Sequence, residues 1–482
     1  MSLRRGLTAR ALGVGVLAVL AAGCATYTAK LADLRPQLQR GDYELALATL
    51  DKGAGGKDAV LVWLERGMIL HQAGRWVESN EAFAAAEHTA RELEARSLSE
   101  GAVSLLTNDQ ALAYRARPFE LGMVPYYRAL NYVALGERES ALVEARKASL
   151  LLAQSVDATL GGIERGSTSD FQRTRNDPFL LYFTGMMYDW DGELNDAFIA
   201  YRNAAVAYQD LHRLLALDIP PWLGGDLRRT GRQLGFAAEL EQLQEACPIV
   251  FAAADSLGPG SAARGPAPGQ GEVVVLVEVG FVPLRRETKL NLPIFESDRD
   301  DDRRAWAWDL STRAHGGYVY PNTVRIKYWL TVAVPGLQAA PAAVQFVAVR
   351  APQGGTVAAS VAHHPAAAAS VTFAAEQPTL LFKTVLRGLT KYLATREVDK
   401  QGRAFGVLAN ILGAATETAD TRSWLTLPER IHLVRLRLPA GVHDLEVELR
   451  DTSGRLLRQE SLGPVAVRSG DWTFARHRVY DF

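Results

Sequence analysis

The sequence contains very little cysteine. Only Cys24 and Cys247 occur among its 482 residues, so no disulfide can form within one chain if Cys24 carries another group. Cys247 follows a run in which Leu240 and Leu243 have helical spacing. This position predicts a packed, small hydrophobic side chain.

A surplus of positive charge is also missing. The chain has 53 lysines and arginines against 54 acidic residues, and its formal net charge is −1. Three arginines lie within the first ten residues, so a chain that lost its first 23 residues would be more acidic. Proteins that bind nucleic acids carry a basic patch or stripe, so no nucleic acid partner is predicted.

The sequence lacks the common motifs of catalysis and metal binding. It has no HExxH, no GxSxG and no phosphate-binding loop, and no metal site or cofactor is predicted. His363 and His364 precede a Pro-Ala run without a third ligand at a suitable spacing, and we expect them to be exposed. The acidic stretch 297–304 lacks the spaced ligands of a calcium loop, which indicates a solvated loop.

Long hydrophobic runs are missing as well. The apolar run 11–22 has 12 residues, whereas a helix needs about 20 to cross a bilayer. Arginines precede this run and small residues follow it, which predicts an export signal over 1–23. The sequence LAAGC at 20–24 resembles the bacterial lipobox, and this resemblance implies cleavage before Cys24 and acylation of its thiol. An ordinary signal with a cysteine at this place by chance is the alternative.

The residue after this cysteine bears on location. In lipoproteins of this kind an Asp at that position favours retention at the inner membrane, and this chain has Ala25. The resemblance therefore implies an outer-membrane lipoprotein that faces the periplasm, held to the membrane by its N-terminal lipid.

Residues 24–250 are predicted to form an all-α array of tetratricopeptide-like repeats. Four stretches begin at Gly41, Gly74, Gly136 and Gly192, and each has a small residue five and twelve positions later and an apolar one at nine. This register resembles the turn and second helix of a repeat of about 34 residues. It predicts three repeat units and a fourth, less regular candidate near 28–53, whose first helix is weak. The residues that define the register are Trp63, Gly67, Gly74, Phe83, Ala86, Gly136, Ala141, Ala148, Gly185, Tyr188, Gly192, Ala197, Tyr201 and Ala204.

Stacked repeats present an extended groove, and we expect that groove to hold a protein or peptide. A purely structural helical spacer is the alternative interpretation. The helical residues 209–247 are expected to cap the array.

The second half is predicted to be a separate β-domain. Residues 251–272, rich in Gly, Pro and Ala, indicate a flexible linker. Within 273–482, strand patterns occur at 273–284, 323–334, 343–349, 356–362, 431–438, 444–450 and 455–467. The expected fold class is therefore α+β and multidomain, with a helical array followed by a mostly antiparallel, sandwich-like sheet domain.

Two helical patterns interrupt the predicted strands and form a helical hairpin at about 379–417. The first helix carries a basic stripe of Lys383, Arg387 and Lys391, and the second, 403–417, is apolar on nearly all sides. The hairpin either packs on the sheet or lies against a membrane surface or a partner.

A candidate contact patch is assembled from this basic stripe and two further pairs of residues. Trp306 and Trp308 alternate like residues of a strand edge, and Arg422 and Trp424 lie in the densest polar and aromatic stretch of the chain. For the second pair the alternative is a packed tryptophan beside a structural salt bridge.

Four stretches, 126–149, 177–204, 277–294 and 420–441, together resemble a family of tetratricopeptide-containing lipoproteins of Gram-negative bacteria. No activity is assigned to that family. The resemblance implies a role in the cell envelope, in peptidoglycan or outer-membrane assembly, and it supplies no catalytic residues.

These observations predict a non-enzymatic adaptor that is anchored to the outer membrane and binds a protein partner of unknown identity. The alternative is an envelope enzyme with an unrecognised site in the C-terminal β-domain.

Overall fold

The computed structural model describes residues 26–53, 56–97, 112–148, 177–258, 267–295, 326–352, 355–399 and 418–480. The first half of this part of the chain is helical. Its helices are α1 Tyr27–Lys30, α2 Leu34–Gln39, α3 Tyr43–Gly53, α4 Ala59–Gln72, α5 Trp76–Ser97, α6 Pro118–Leu135, α7 138–148, α8 Pro178–Asp191, α9 Leu194–Leu211, α10 Pro221–Leu234, α11 Ala237–Ala246 and α12 Pro248–Asp255.

Consecutive helices form hairpins around glycine turns. Gly41, Gly74, Gly136 and Gly192 have φ angles of 75°, 76°, 75° and 84°, a region that glycine adopts without the strain that a Cβ brings. They separate the pairs α2–α3, α4–α5, α6–α7 and α8–α9. These are the four turns that the repeat register marks in the sequence.

A fifth hairpin lies where only a helical cap was expected. Gly235, with a φ of 77°, separates α10 from α11. Inside α10, Gly224 faces Ala254 of α12 and Gly231 faces the side chain of Leu240 on α11. Gly224 and Gly231 thus let α11 and α12 pack closely against α10.

Close packing between the two helices of a unit depends on one glycine in the first helix. A Cβ on Gly67 would lie 2.6 Å from the ring of Phe83, and a Cβ on Gly185 would lie 2.4 Å from the ring of Tyr201. Both aromatic side chains are fully buried. The aromatic ring of the second helix therefore takes the space that a side chain on the first helix would occupy.

The second half of the chain contains ten strands in its described residues: β1 Gln270–Val279, β2 Leu284–Phe295, β3 Ile326–Gln338, β4 Phe346–Ala351, β5 Gly355–Ala358, β6 Ser360–His363, β7 Arg430–Pro439, β8 Gly441–Arg450, β9 Leu456–Val467 and β10 Trp472–Val479. Sheet 1 has the order β10-β1-β7-β6, and sheet 2 has the order β5-β4-β8-β9. Strands β2 and β3 form a separate antiparallel pair. One pairing departs from the predicted antiparallel pattern, because β10 runs parallel to β1.

Sheet 1 is covered on both faces. Alternate residues of β1 belong to two different cores: Val273, Val275 and Val277 pack against sheet 2, whereas Val274 and Leu276 pack in the same cluster as the helices. Because side chains of a strand point alternately to the two faces of a sheet, the layers are helices, sheet 1 and sheet 2. The predicted α+β architecture is confirmed, and its two sheets form a sandwich.

The predicted linker at 251–272 is wrong at both ends. Residues 251–255 belong to α12, whose Val250, Phe251 and Ala254 are buried, and residues 270–272 already belong to β1. The two halves also share one continuous core, which includes side chains from Tyr27 to Leu433. Phe251 and Ala254 at one end of the stretch and Glu272 at the other are buried, and the Gly/Pro content of the stretch did not indicate this burial.

The predicted helical hairpin differs in its first arm. That arm belongs to α13, which begins at Pro365 and ends at Asp399, so it starts 14 residues before the predicted position. The Pro-Ala run is helical because Ala366, Ala368 and Phe373 are buried and proline is tolerated in the first helical turn. The predicted second arm, 403–417, lies outside the described residues.

The glycine–aromatic contact can be tested with Gly185→Ala. Its new Cβ would meet the Tyr201 ring at 2.4 Å, and we expect a loss of about 1–3 kcal/mol in the free energy of unfolding, although alanine is the better helix former. Urea denaturation measures the change. Gly56→Ala is the matched control, because nothing lies within 4 Å of its Cβ position. Equal stabilities of the two variants would contradict the packing argument.

Candidate functional site

The face of the array on which a partner was expected is occupied by the chain's own sheet. The first helices of four units contact sheet 1: Gln72 of α4 and Tyr126 of α6 donate to Glu278, at 3.4 and 3.5 Å, and Tyr182 of α8 and Asp226 of α10 contact Arg435. Aromatic side chains add to the contact, since Trp190 of α8 lies 5.4 Å from Phe474 of β10 between ring centroids. The expected open groove is therefore closed by an intramolecular contact.

Arg435, in the middle of β7, is the charged centre of this contact. It is buried, and its guanidinium donates to Asp226, to Tyr182 Oη at 3.0 Å and to Glu272 of the neighbouring strand at 3.0 Å. It also lies over the ring of Trp472, at 4.6 Å from the centroid. Burial disfavours the charged form of Arg435, but the carboxylates of Asp226 and Glu272 outweigh it and raise its pKa.

A second ion pair extends the charged centre into the array. Arg229 donates to Asp189, which also accepts a hydrogen bond of 2.8 Å from Tyr201 Oη. Burial raises the pKa of Asp189, and Arg229 opposes that shift. Tyr201 is the ring that packs on Gly185, so the polar contact and the repeat packing share one side chain.

An extended segment, 419–429, fills the remaining part of the same face; we call it the groove segment. Glu120 of α6 accepts a hydrogen bond of 2.9 Å from the backbone N–H of Trp424. Glu65 of α4 accepts from the Leu425 N–H and the Thr426 hydroxyl, both at 2.5 Å. Two carboxylates of adjacent repeats therefore hold the backbone of this segment as they would hold that of a bound peptide.

Glu65 has an unusual protonation equilibrium. Its side chain is buried, and that burial raises its pKa to about 7, although the hydrogen bonds from Thr426 and Leu425 and the charge of Arg35 lower it. Arg35 also holds the groove segment by donating 2.8 Å to the carbonyl oxygen of Leu425.

Most of the predicted contact patch does not form an exposed surface. Arg422 and Trp424 belong to the groove segment and are buried. Arg422 pairs with Asp420 at 2.8 Å and with Asp58 at 3.2 Å, and Trp424 packs at 5.9 Å from Phe83 between ring centroids. The patch prediction is wrong for these two residues, and the alternative of a packed tryptophan beside a structural salt bridge is correct.

The basic stripe is not uniformly exposed either. Arg387 is buried and donates 3.3 Å to the hydroxyl of Thr384, because this face of α13 packs on β3, where Gly388 meets Leu330 and Val332. Lys383 is half-buried, and the Lys391 side chain lies outside the described part of the structure. Trp306 and Trp308 lie outside the described residues, as does Cys24.

The two histidines that were expected to be exposed are not. His363 is buried, pairs with Asp177 at 3.2 Å and stacks on Phe179. His364 is half-buried, and its Nδ1–H donates 3.1 Å to the carbonyl oxygen of Leu215. Both lie at the junction of β6 with the helices, and the local sequence did not indicate this location.

Cys247 is buried, as its position in the sequence predicted.

Most residues of the repeat register lie in the glycine turns or in the contact between the two helices of a unit. Two of them lie at the surface. Trp63 is exposed, and Tyr188 is half-buried beside the guanidinium of Arg146 at 5.9 Å. The small residues of the second helices are buried: Ala86, Ala141, Ala148, Ala197 and Ala204.

The buried charges of this face were missed in the sequence, although a signal exists. Arg435 interrupts the apolar pattern of a strand, and Glu65 stands within the apolar helix sequence AVLVWLERGMIL. A charge within an otherwise buried pattern is rare unless it is paired. Such positions therefore predict a buried partner of opposite charge or a backbone ligand.

The polar contacts of this face hold the groove segment and sheet 1 in place against the helices, and few of them are typical of a catalytic site. The carboxylates of this face accept hydrogen bonds from arginines, backbone N–H groups or neutral side chains, and no cluster of three metal-ligating side chains occurs in the described part of the chain. Among the described helices, none combines the length and apolar character needed to cross a membrane.

Comparisons with known proteins give little further information. No protein-family model matches the chain, and no curated protein matches it. A solved structure described as a Podosopora anserina putative kinesin light chain with nearly identical TPR-like repeats is similar to it, at 12% identity, with a TM-score of 0.27, over 48% of this chain and 96% of that one. The description of this chain as a TPR-like array therefore depends on its own helix hairpins and glycine turns.

The charged centre predicts a large effect for Asp226→Ala. Removal of this carboxylate leaves Arg435 buried with fewer partners, and breaking a buried ion pair costs about 3–5 kcal/mol. Chemical denaturation measures the loss. Asp255→Ala is the control, because its ion pair with Arg228 leaves the Asp255 side chain 64% exposed, and exposed pairs contribute about 1 kcal/mol or less. Similar small losses in both variants would show that the charged centre does not stabilise the fold.

The raised pKa of Glu65 predicts a pH-dependent stability. The folded state holds a proton up to about pH 7 and the unfolded state releases it near 4.5, so the stabilisation is present below pH 4.5 and is lost as the pH rises to 7. The loss reaches about 1.4 kcal/mol per pH unit. Glu65→Gln removes this dependence, and the difference between wild type and variant is measured by urea denaturation at pH 5 and pH 8.

Glu81→Gln, at an exposed position on α5, is the control for this experiment. It should follow the wild-type stability at both pH values. An unchanged difference between wild type and Glu65→Gln from pH 5 to pH 8 would contradict protonation of Glu65 in the folded state.

Proposed function

We propose that the protein is a lipid-anchored interaction scaffold of the bacterial cell envelope. The anchor is the acylated thiol of Cys24, and the location is the periplasmic face of the outer membrane, where it would serve peptidoglycan or outer-membrane assembly. The lipobox-like sequence and the resemblance to lipoproteins support this proposal. A helical-repeat fold supports an adaptor that binds another protein.

The partner surface is the outer side of the second helices, because sheet 1 and the groove segment already cover the side of the array that the first helices form. The observation that carries this proposal is a set of β-branched side chains that remain more than one third exposed there: Val77 on α5, Val143 on α7, and Ile199 and Val206 on α9. Val143 and Ile199 occupy the same position, seven residues after the repeat glycine, in consecutive units. A protein partner that covers this face would bury Val143 and Ile199, which are at equivalent positions in two consecutive units.

Site-specific photo-crosslinking in intact envelopes tests this proposal. A photoreactive phenylalanine at position 143 or 199 should give an adduct of one discrete mass. The same residue at position 241, an exposed glutamate on α11, should give none. Cys24→Ala should remove labelling by radioactive palmitate and release the protein from the membrane fraction, or leave it uncleaved.

Other outcomes would overturn parts of the proposal. Palmitate labelling of the Cys24→Ala variant would disprove the anchor. Equal adducts at all three positions, or none, would disprove the docking face. If the face fails in this way and the purified full chain turns over a cell-wall substrate, the alternative of an envelope enzyme replaces the scaffold.

A further inference from the structure

A second, unrelated feature lies at one end of the β-sandwich. A cavity of about 300 Å³ opens there between β6 and β7 of sheet 1, the start of β4, and the turn after β8. This volume lies at the lower limit for small-molecule sites. The residues that line it are Asp218, Gln345, Phe346, Ala359, Val361, Arg430, His432 and Thr452.

Strand β7 places two polar side chains where its pattern would lead one to expect apolar ones. Its residues Val434, Leu436 and Leu438 fill the sandwich core, and Arg430 and His432 lie on the same face because alternate residues of a strand share a face. Both are buried. Burial of polar groups costs free energy unless they are hydrogen-bonded, so packing of the sandwich does not account for them.

His432 is the clearest sign of a binding site. Its side chain is 1% exposed, and neither ring nitrogen has a hydrogen-bond partner among the described residues. Burial, together with the charges of Arg430 and His364, lowers its pKa to about 3. The ring is therefore neutral near pH 7 and offers one N–H donor and one nitrogen acceptor.

Arg430 adds another unused donor beside the ring. Its Nε is buried without a hydrogen-bond partner among the described residues. Its terminal nitrogens donate to Gln345 Oε1 at 3.0 Å and pair with Glu429 at 3.1 Å. The charge of Arg430 is thus balanced by Glu429, which itself accepts a hydrogen bond of 2.7 Å from the backbone N–H of Ala342.

The charges around the cavity favour a neutral ligand. Arg430 is already neutralised, and the carboxylate of Asp218 at the cavity wall, which accepts 2.8 Å from the Val361 N–H, would repel an anion. The unused donors of Arg430 and His432 need acceptors, while the second nitrogen of His432 needs a donor. A hydroxyl group provides both, and the ring of Phe346, 55% exposed at the same cavity, offers an apolar face.

We propose that this cavity binds a neutral, hydroxyl-rich small molecule of monosaccharide size, with hydroxyl groups on His432 and Arg430 and its apolar side on Phe346. The site is independent of the docking face and the lipid anchor, so it stands or falls separately from the scaffold proposal.

Histidine side-chain nitrogen NMR on the full chain tests the site. The probes are methyl β-glucoside, N-acetylglucosamine and sorbitol, with inorganic phosphate as the anionic comparison. At least one neutral probe should shift the ring signals of His432 in a saturable way, and those signals are assigned by their loss in His432→Phe. That variant should weaken binding, measured by calorimetry, at least tenfold.

Two further variants keep the result interpretable. His88→Phe makes the same change at an exposed position of α5 and should bind like wild type. Phe346→Ala alters an exposed side chain and should weaken binding several-fold even if His432→Phe fails to fold. The proposal is overturned if no neutral probe shifts His432, if both phenylalanine variants bind equally, if Phe346→Ala binds like wild type, or if phosphate binds more tightly than every neutral probe.

Discussion

Strand β1 is apolar on both faces, and this property decides how the rest of the chain packs. A strand of this kind must be covered on both sides, and the two coverings come from different halves of the sequence. Sheet 2 covers Val273, Val275 and Val277, and the helical array covers Val274 and Leu276. The buried acids of the same strand, Glu272 and Glu278, then require polar partners on the helix side. Arg435, Gln72 and Tyr126 meet that requirement.

This packing changes what a helical-repeat array does. Isolated arrays are stabilised mostly by contacts between neighbouring units. Here the first helices of four units, α4, α6, α8 and α10, also contact one common sheet, so residues that are far apart in sequence stabilise these repeats. The Arg435 contact with Asp226, for example, joins positions 209 residues apart. The array is therefore the outer layer of one body rather than a module that could act without the sheet.

Sequence reasoning succeeded where the signal is local. The repeat glycines and the buried small residues of the second helices could be predicted, because a left-handed turn and a close helix contact each restrict the residue type at one position. Strands with continuous β-branched residues, such as β1, could be predicted for the same reason. Strand β10 could not be predicted from its sequence, WTFARHRV. Its mixture of aromatic, small and basic residues is explained by its place at the edge of sheet 1 and by its contact with the helices. The groove segment could not be predicted either, since its burial depends on carboxylates of distant helices.

The groove segment also explains why the proposed partner surface is on the other side of the array. Extended peptides bind helical arrays through backbone N–H groups and a few buried side chains, and residues 419–429 already use both kinds of contact with Glu65, Glu120 and the pocket around Trp424. A competing peptide would have to expose this tryptophan and leave two buried carboxylates without their donors. Each lost hydrogen bond of that kind costs about 1–3 kcal/mol, before the exposed apolar area is counted. Binding to the second helices would need no such exchange, because their apolar side chains Val143 and Ile199 are already exposed.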